Sequence, residues 1–408
     1  MKGTTPTTLL VRNIDQLLTL DPAAGEGRLG VVEGGAVLFE GDRVRWVGPT
    51  GQAPTADRVV DGTGCIGLPG LVDCHTHSLF AGSRADEFRR RLDGASYTEI
   101  LESGGGILST VRATRAASDA ELVESLTARL GHFLAHGVTT VEVKTGYALE
   151  RDAELRCLRL LTDGDWPVRV RRTWLGAHTV PADHRSDRPA WLAHLLGSIP
   201  AVAQLADMVD VYCDAGAFTL DEARALLEAG IAAGLHGRIH AEQVTHTGAA
   251  ALAGELGCTS ADHLERIDPA GIAAMATGGT VGVLLPGAMV YLGDPAPPVA
   301  ALRSAGVALA VATDFNPGSS PVRDLWSCAT LACLQLGLTP EEAVAGITRV
   351  AAQALALPRR GWLGVGSGGD LALVPPPPGE PCHWPVLVQY LGGHRASVVV
   401  RSGRVVLE

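Results

Sequence analysis

Residues 66–77 read IGLPGLVDCHTH. The apolar, strand-like run 66–72 leads directly into Asp73-Cys74-His75-Thr76-His77. On an extended chain, residues two apart project to the same side. His75 and His77 therefore leave the end of a strand together and form half of a site for Zn²⁺ or Fe²⁺. Taken alone, H-x-H is also what two hydrogen-bonded core histidines look like. Its place after a buried strand favours a metal, because barrel active sites gather at the C-terminal ends of strands.

Working outward, strand-like runs recur at 139–143, 168–175, 208–211, 238–240, 258–261, 280–285 and 307–313. Helical patterns lie between most of them, such as 119–136, 220–233 and 340–354. Strands that alternate with helices imply parallel connections. Eight such strands in a body of about 300 residues fit a closed (β/α)8 TIM barrel better than an open doubly wound sheet. The two chain ends differ. Residues 8–65 read as short strands with a hairpin around Glu40-Gly41-Asp42, and 396–407 as a hairpin around Ser402-Gly403. The expected fold is α/β: a barrel over 66–365, and a small composite β-sandwich domain formed by 1–65 and 366–408.

Composition sets limits. Of 408 residues, 46% are hydrophobic and 19% charged, which supplies a core and excludes disorder. The net charge of -11, with no basic stripe, argues against a nucleic-acid partner. The locally basic stretch 84–91 is broken by Asp86 and Glu87 and reads mostly as a solvated helix face. The eight cysteines form no C-x-x-C pair and read as small core residues in a reducing compartment. No secretory leader is evident, and no apolar stretch reaches the roughly 18 residues of a membrane span. The expectation is a soluble, cytoplasmic protein acting on a small molecule, with no membrane partner.

If His75 and His77 hold a metal, other strands should end in ligands. His240 ends 238–240, His263 follows 258–261, Asp314 follows 307–313, and His178 follows 168–175. One histidine at a strand end is usually structural. Four strands ending in His or Asp, beside one ending in H-x-H, are hard to explain by packing.

This pattern resembles the amidohydrolase superfamily, whose members carry H-x-H on the first strand, histidines on later strands and an aspartate after the last. Within it, several stretches resemble the imidazolonepropionase family: GLVDCHTH (70–77), GGGILSTV (104–111), EVKTGYAL (142–149), Gly176 to His178, Ala261 to His263, LLPG (284–287) and TDFNPGSSP (313–321). EVKTGY and TDFNPGSSP discriminate far better than H-x-H. The resemblance spans nearly the whole barrel and includes the composite domain.

The resemblance implies one divalent metal per chain, Zn²⁺ or Fe²⁺, held by His75, His77, His240 and Asp314. It implies hydrolytic opening of 4-imidazolone-5-propanoate to N-formimidoyl-L-glutamate in histidine degradation, and a homodimer. Lys144 lies in EVKTGY, where that family does not use it as a ligand, so it is expected to be structural or to stand behind the ligands. Asp314 can take a proton from water and return it to the leaving nitrogen. His263 is placed to hydrogen-bond the water or the developing oxyanion, or to orient a ligand. Arg84 can grip a propionate bidentately. Tyr147 and His178 can contact the ring. Asn316, Gly318 and Ser319 match family positions that touch substrate, in a turn whose N–H groups can form an anion nest. The glycine-rich stretch 104–111 reads as a loop that closes over substrate.

One position departs from the pattern. Some relatives place a glutamate three residues after the third histidine, and here that residue is Gln243. Glutamine can hydrogen-bond but cannot act as a base. Gln243 is expected to bind the ring while Asp314 and His263 handle protons, with Glu242 facing the other way on a strand. A nucleobase deaminase of the same superfamily would share the metal site and favour a general-acid glutamate here, so Glu242 keeps that alternative open. A barrel retained only for binding would be marked by lost ligands, and all candidates are present.

Overall fold

The computed structural model describes residues 8–94, 99 and 104–408. Five strands open it: Thr8–Leu18 (β1), Val31–Glu40 (β2), Arg43–Pro49 (β3), Arg58–Asp61 (β4) and Ile66–Pro69 (β5). Eight alternate mostly with helices: Leu71–Asp73 (β6), Val138–Lys144 (β7), Arg169–Ala177 (β8), Met208–Cys213 (β9), His236–Ala241 (β10), Ser260–His263 (β11), Val281–Leu284 (β12) and Leu309–Val311 (β13). Leu371–Val374 (β14), Val398–Arg401 (β15) and Arg404–Leu407 (β16) close it.

The chain ends build one sheet, ordered β16-β15-β14-β5-β1-β2-β3, with β4 beside β1. Its hairpins turn where the sequence supplies left-handed residues: Gly41 has φ 57°, and Ser402 and Gly403 have φ 50° and 71°. Val11, Ile14, Leu17, Phe39, Leu371, Leu373 and Val400 form its buried face.

The second sheet is the parallel barrel, ordered from β6 through β13. Helices cover it through apolar stripes. Asp119–Ala135 buries Leu122, Leu126, Leu130 and Phe133, and starts at a capping box between Ser118 and Glu121. No ladder joins β13 to β6. The seam closes at the rim instead, by a bridge between Thr76 and Phe315. There Asp314 N donates to His75 O at 3.0 Å and His77 N to Phe315 O at 2.9 Å. Among the described residues no helix is long and apolar enough to cross a membrane.

Three elements differ from their sequence reading. The run 66–72 is not one barrel strand. It splits at Gly70, so that β5 pairs with β14 and β1 in the end sheet while β6 pairs with β7. A Cβ at Gly70 would stand 2.3 Å from Thr139 Oγ1, so only glycine lets the chain pass from sheet to barrel here. The helix expected over 340–354 is two, Pro340–Gly346 and Arg349–Ala354. Between them the Ile347 carbonyl accepts the Val72 N–H at 2.9 Å, a bond an unbroken helix would forbid. The strand read at 258–261 lies two residues later, because Cys258 N bonds back to Ala253 O at 2.9 Å and still belongs to the helix exit.

Candidate metal centre and active site

The seam that closes the barrel also assembles the site. Because Asp314 N bonds His75 O, the end of the last strand is held beside the H-x-H segment. Thr76 faces the opposite way, its hydroxyl donating to Glu142 O at 2.6 Å, which leaves His75 and His77 on the inner side. His240 arrives on β10, and His75, His77 and His240 offer ligand atoms within 4.8 Å of one another, all buried. Asp314 Oδ1 lies 3.5 Å from His75 Nε2 and 3.4 Å from His77 Nε2, and His240 Nε2 lies 3.4 Å from His77 Nε2. Ligand atoms held tetrahedrally at usual Zn–N or Zn–O distances stand about 3.4 Å apart. The four side chains thus stand close enough together to hold one divalent ion, and His75 Nε2, buried with no hydrogen-bond partner, points to the same conclusion.

Both outer histidine nitrogens that find partners find carboxylates. His75 Nδ1 lies 2.7 Å from Asp262 Oδ2, and His240 Nδ1 lies 3.1 Å from Asp210 Oδ1. Burial, reinforced by the nearby Lys144 and His240, holds His75 and His77 well below the usual histidine range, so both are the neutral form that a metal requires. Burial pushes Asp314 up to about 6 and His263 down to about 3. Asp210 is pulled well below the usual range despite its burial, by His240, Lys144 and Arg238.

The other expected residues ring this cluster. The His263 ring centroid is 5.9 Å from that of His75 and 5.5 Å from that of His240. The adjacent Asp262 serves His75, and His263 Nδ1 has no hydrogen-bond partner, with Glu265 Oε2 3.9 Å away. His178 stacks on His77 at 5.1 Å and bonds Gly146 O through Nδ1. Tyr147 is buried 5.9 Å from His77. Gln243 Oε1 accepts from the Tyr212 hydroxyl at 3.1 Å. Glu242 turns away: its carboxylate takes His246 Nδ1 at 2.8 Å and the Thr247 N–H at 2.9 Å. Arg84 lies against Gly318 in the loop after Asp314. Glu242, His263 and Asp314 all have positive φ, at 60°, 81° and 51°. Such uncommon backbone at strand ends around one cluster is a mark of functional sites.

The anion nest expected at 316–319 is filled from within. The N–H groups of Gly318 and Ser319 donate to Asn316 Oδ1 at 2.9 and 2.7 Å. Asn316 therefore sets the loop's shape, and Gly318 and Ser319 offer no free N–H pair. Sequence reading missed Glu142, Asp210, Arg238 and Asp262 as working parts of the site. Each was visible as a charged residue within a strand, but the pairing that sets it behind a histidine or a cation is tertiary.

A closed parallel barrel with this histidine–aspartate cluster at its rim defines a metal-dependent hydrolase of the amidohydrolase class. A family model described as "Amidohydrolase family" matches residues 81–407. In fold, the chain is similar to an adenosine deaminase from Xanthomonas campestris with bound zinc, with a TM-score of 0.75 at 18% identity over 99% of this chain and 94% of that one. It is likewise similar to a triazine hydrolase from Arthrobacter aurescens, with a TM-score of 0.74 at 17% identity over 98% and 95%. Much nearer in sequence are the imidazolonepropionases of Rubrobacter xylanophilus, 44% identical over 97% of this chain and 98% of that protein, and of Caulobacter vibrioides, 48% identical over 88% and 91%. The chain belongs to the imidazolonepropionase family.

Proposed function

We propose that this chain hydrolyses 4-imidazolone-5-propanoate to N-formimidoyl-L-glutamate, a step of histidine degradation. The observation that carries the reading is the close cluster of His75, His77, His240 and Asp314 beneath a mouth that holds Arg84, the cation a propionate needs. When bound, a divalent metal supplies a water of lowered pKa as nucleophile at neutral pH. Zinc and ferrous iron both suit three imidazoles and a carboxylate.

The residues divide the remaining work. Asp314 accepts the proton of the attacking water and passes it to the ring nitrogen as the carbonyl C–N bond breaks. The water oxygen ends in the new carboxylate and the nitrogen leaves as the formimidoyl group. His263, neutral at working pH, hydrogen-bonds the developing oxyanion. Arg84 pairs with the propionate, His178 and Tyr147 flank the ring, and Gln243 hydrogen-bonds it. Asn316, Gly318 and Ser319 shape the rim on which Arg84 rests. Glu242, committed to His246 and Thr247, is unavailable as the general acid a nucleobase deaminase would want. The working form is read as a cytoplasmic homodimer.

The test is turnover of freshly generated 4-imidazolone-5-propanoate, followed by loss of ultraviolet absorbance, with native protein and with Asp314→Asn at matched metal content. Rapid loss with the first and a fall of about a hundredfold or more with the second supports substrate and role together. No turnover by metal-loaded native protein sinks the substrate assignment.

A further inference from the structure

Behind the histidines lies a closed set of charged side chains from four strands. Glu142 and Lys144 come from β7, Asp210 from β9, Arg238 from β10 and Asp262 from β11, and all are fully buried. Lys144 Nζ bonds Glu142 Oε1 at 2.9 Å and Asp210 Oδ2 at 2.7 Å. Arg238 Nη2 bonds Asp262 Oδ2 at 2.7 Å, and its Nη1 stands 3.4 Å from Glu142 Oε1. The two aspartates thus have a cation on one side and an imidazole on the other, Asp262 with His75 and Asp210 with His240.

Buried ion networks add little stability compared with packed apolar side chains of similar size. A role in orienting the histidines accounts for the arrangement better. A carboxylate that accepts the Nδ1–H of an imidazole fixes the tautomer, leaving the Nε2 lone pair for the metal. Lys144 and Arg238 in turn fix where each carboxylate can point.

Resting on the metal-centre reading above, we propose that Asp262 and Asp210 are positioning residues that hold His75 and His240 in the metal-binding tautomer, and that Lys144 and Arg238 lock both carboxylates in place. Lys144, held between Glu142 and Asp210, is then a fixed part of this network rather than a metal ligand.

The test reads metal, not turnover, so it stands or falls apart from the substrate assignment. Zinc affinity is measured by competition with a chromophoric chelator for wild type, Asp262→Asn, Lys144→Gln and Lys144→Arg, with the Tm of each metal-free protein and the visible spectrum of its Co²⁺ form. Expected are one metal per chain in wild type, zinc affinity lowered about 10–100-fold in Asp262→Asn and Lys144→Gln, a changed Co²⁺ spectrum in both, and partial rescue in Lys144→Arg. Should Asp262→Asn fail to fold, Asp210→Asn is read in its place. Wild-type zinc affinity in folded Asp262→Asn or Asp210→Asn overturns the positioning role. A second equivalent of metal whose binding requires bicarbonate overturns the role given to Lys144.

Discussion

The guanidinium of Arg84 lies directly over the Cα of Gly318: a Cβ there would stand 2.8 Å from Nη1 and 3.2 Å from Cζ. Arg84 is tethered from the other side, where its Nε donates to Glu87 Oε2 at 2.6 Å. The second Glu87 oxygen accepts the Gly106 N–H and the Ser109 hydroxyl, each at 3.1 Å. The arginine is therefore clamped between the loop after the last strand and the glycine-rich stretch. Gly318→Ala must displace the guanidinium, the mobile end of a long side chain, so the fold should tolerate it with little change in Tm. If Arg84 grips the propionate, KM should rise about tenfold with kcat nearly unchanged. Steady-state kinetics decide this, and an unchanged KM would remove Arg84 from the substrate.

Glu265 offers a pH test. Burial, with Asp294 and Asp314 adding to it, pushes its carboxyl up to about 8. Its Oε2 has no hydrogen-bond partner. A folded pKa above the ordinary 4.5 means the native state holds the proton more tightly than the unfolded chain. The stabilisation is then complete below that ordinary value and fades as pH rises through about 8. One such group changes stability by at most about 1.4 kcal/mol per pH unit. Wild-type urea stability should carry this downward slope between about pH 5 and about pH 8, and Glu265→Gln should remove it. Parallel slopes in the two proteins would show that Glu265 ionises normally.

The two periodicities of the sequence made the barrel legible, and the strand-end histidines made its rim legible. His75, His77, His178, His240, His263 and Asp314 could be singled out because each ends or closely follows a strand-like run, while the choice of His75, His77, His240 and Asp314 as ligands came from the family resemblance. Gly70 was not legible, because an unbroken apolar run gives no sign that its halves belong to different sheets; only the closeness of Thr139 shows it. The break at Ile347 is equally tertiary, since its carbonyl is claimed by a strand far away in sequence. Asp262 was visible as a residue but its partner was not. Alternation along β11 says that Asp262 and His263 point apart, not that the aspartate meets His75 across the barrel.

Metal removal should cost stability as well as activity. His75, His77, His240 and Asp314 are drawn from β6, β10 and the end of β13, so an ion there ties the seam of the barrel to its far side. A ligand that binds only the folded state at a thousandfold above its Kd stabilises by about 4 kcal/mol. Chelator-treated protein should therefore melt several degrees lower, and one equivalent of zinc or ferrous iron should restore both Tm and turnover. Calorimetry with metal analysis checks this. An unchanged Tm after verified metal loss would mean that the ion does not bridge these strands.

Gln243 carries the last prediction. Its Oε1 is taken by the Tyr212 hydroxyl, so its amide nitrogen is the end left to face the ring, as a hydrogen-bond donor. Gln243→Glu keeps the shape and replaces that donor with a carboxylate. At neutral pH the variant should lose about 2 kcal/mol of transition-state binding, the usual cost of an unpaired buried polar group. As pH falls through the new carboxyl's pKa, the protonated form can donate again, so kcat/KM should recover relative to wild type. A pH–rate profile measures this directly. If Gln243→Glu is instead faster than wild type at neutral pH and slows as it protonates, a base at this position helps the reaction, and proton transfer cannot rest on Asp314 and His263 alone.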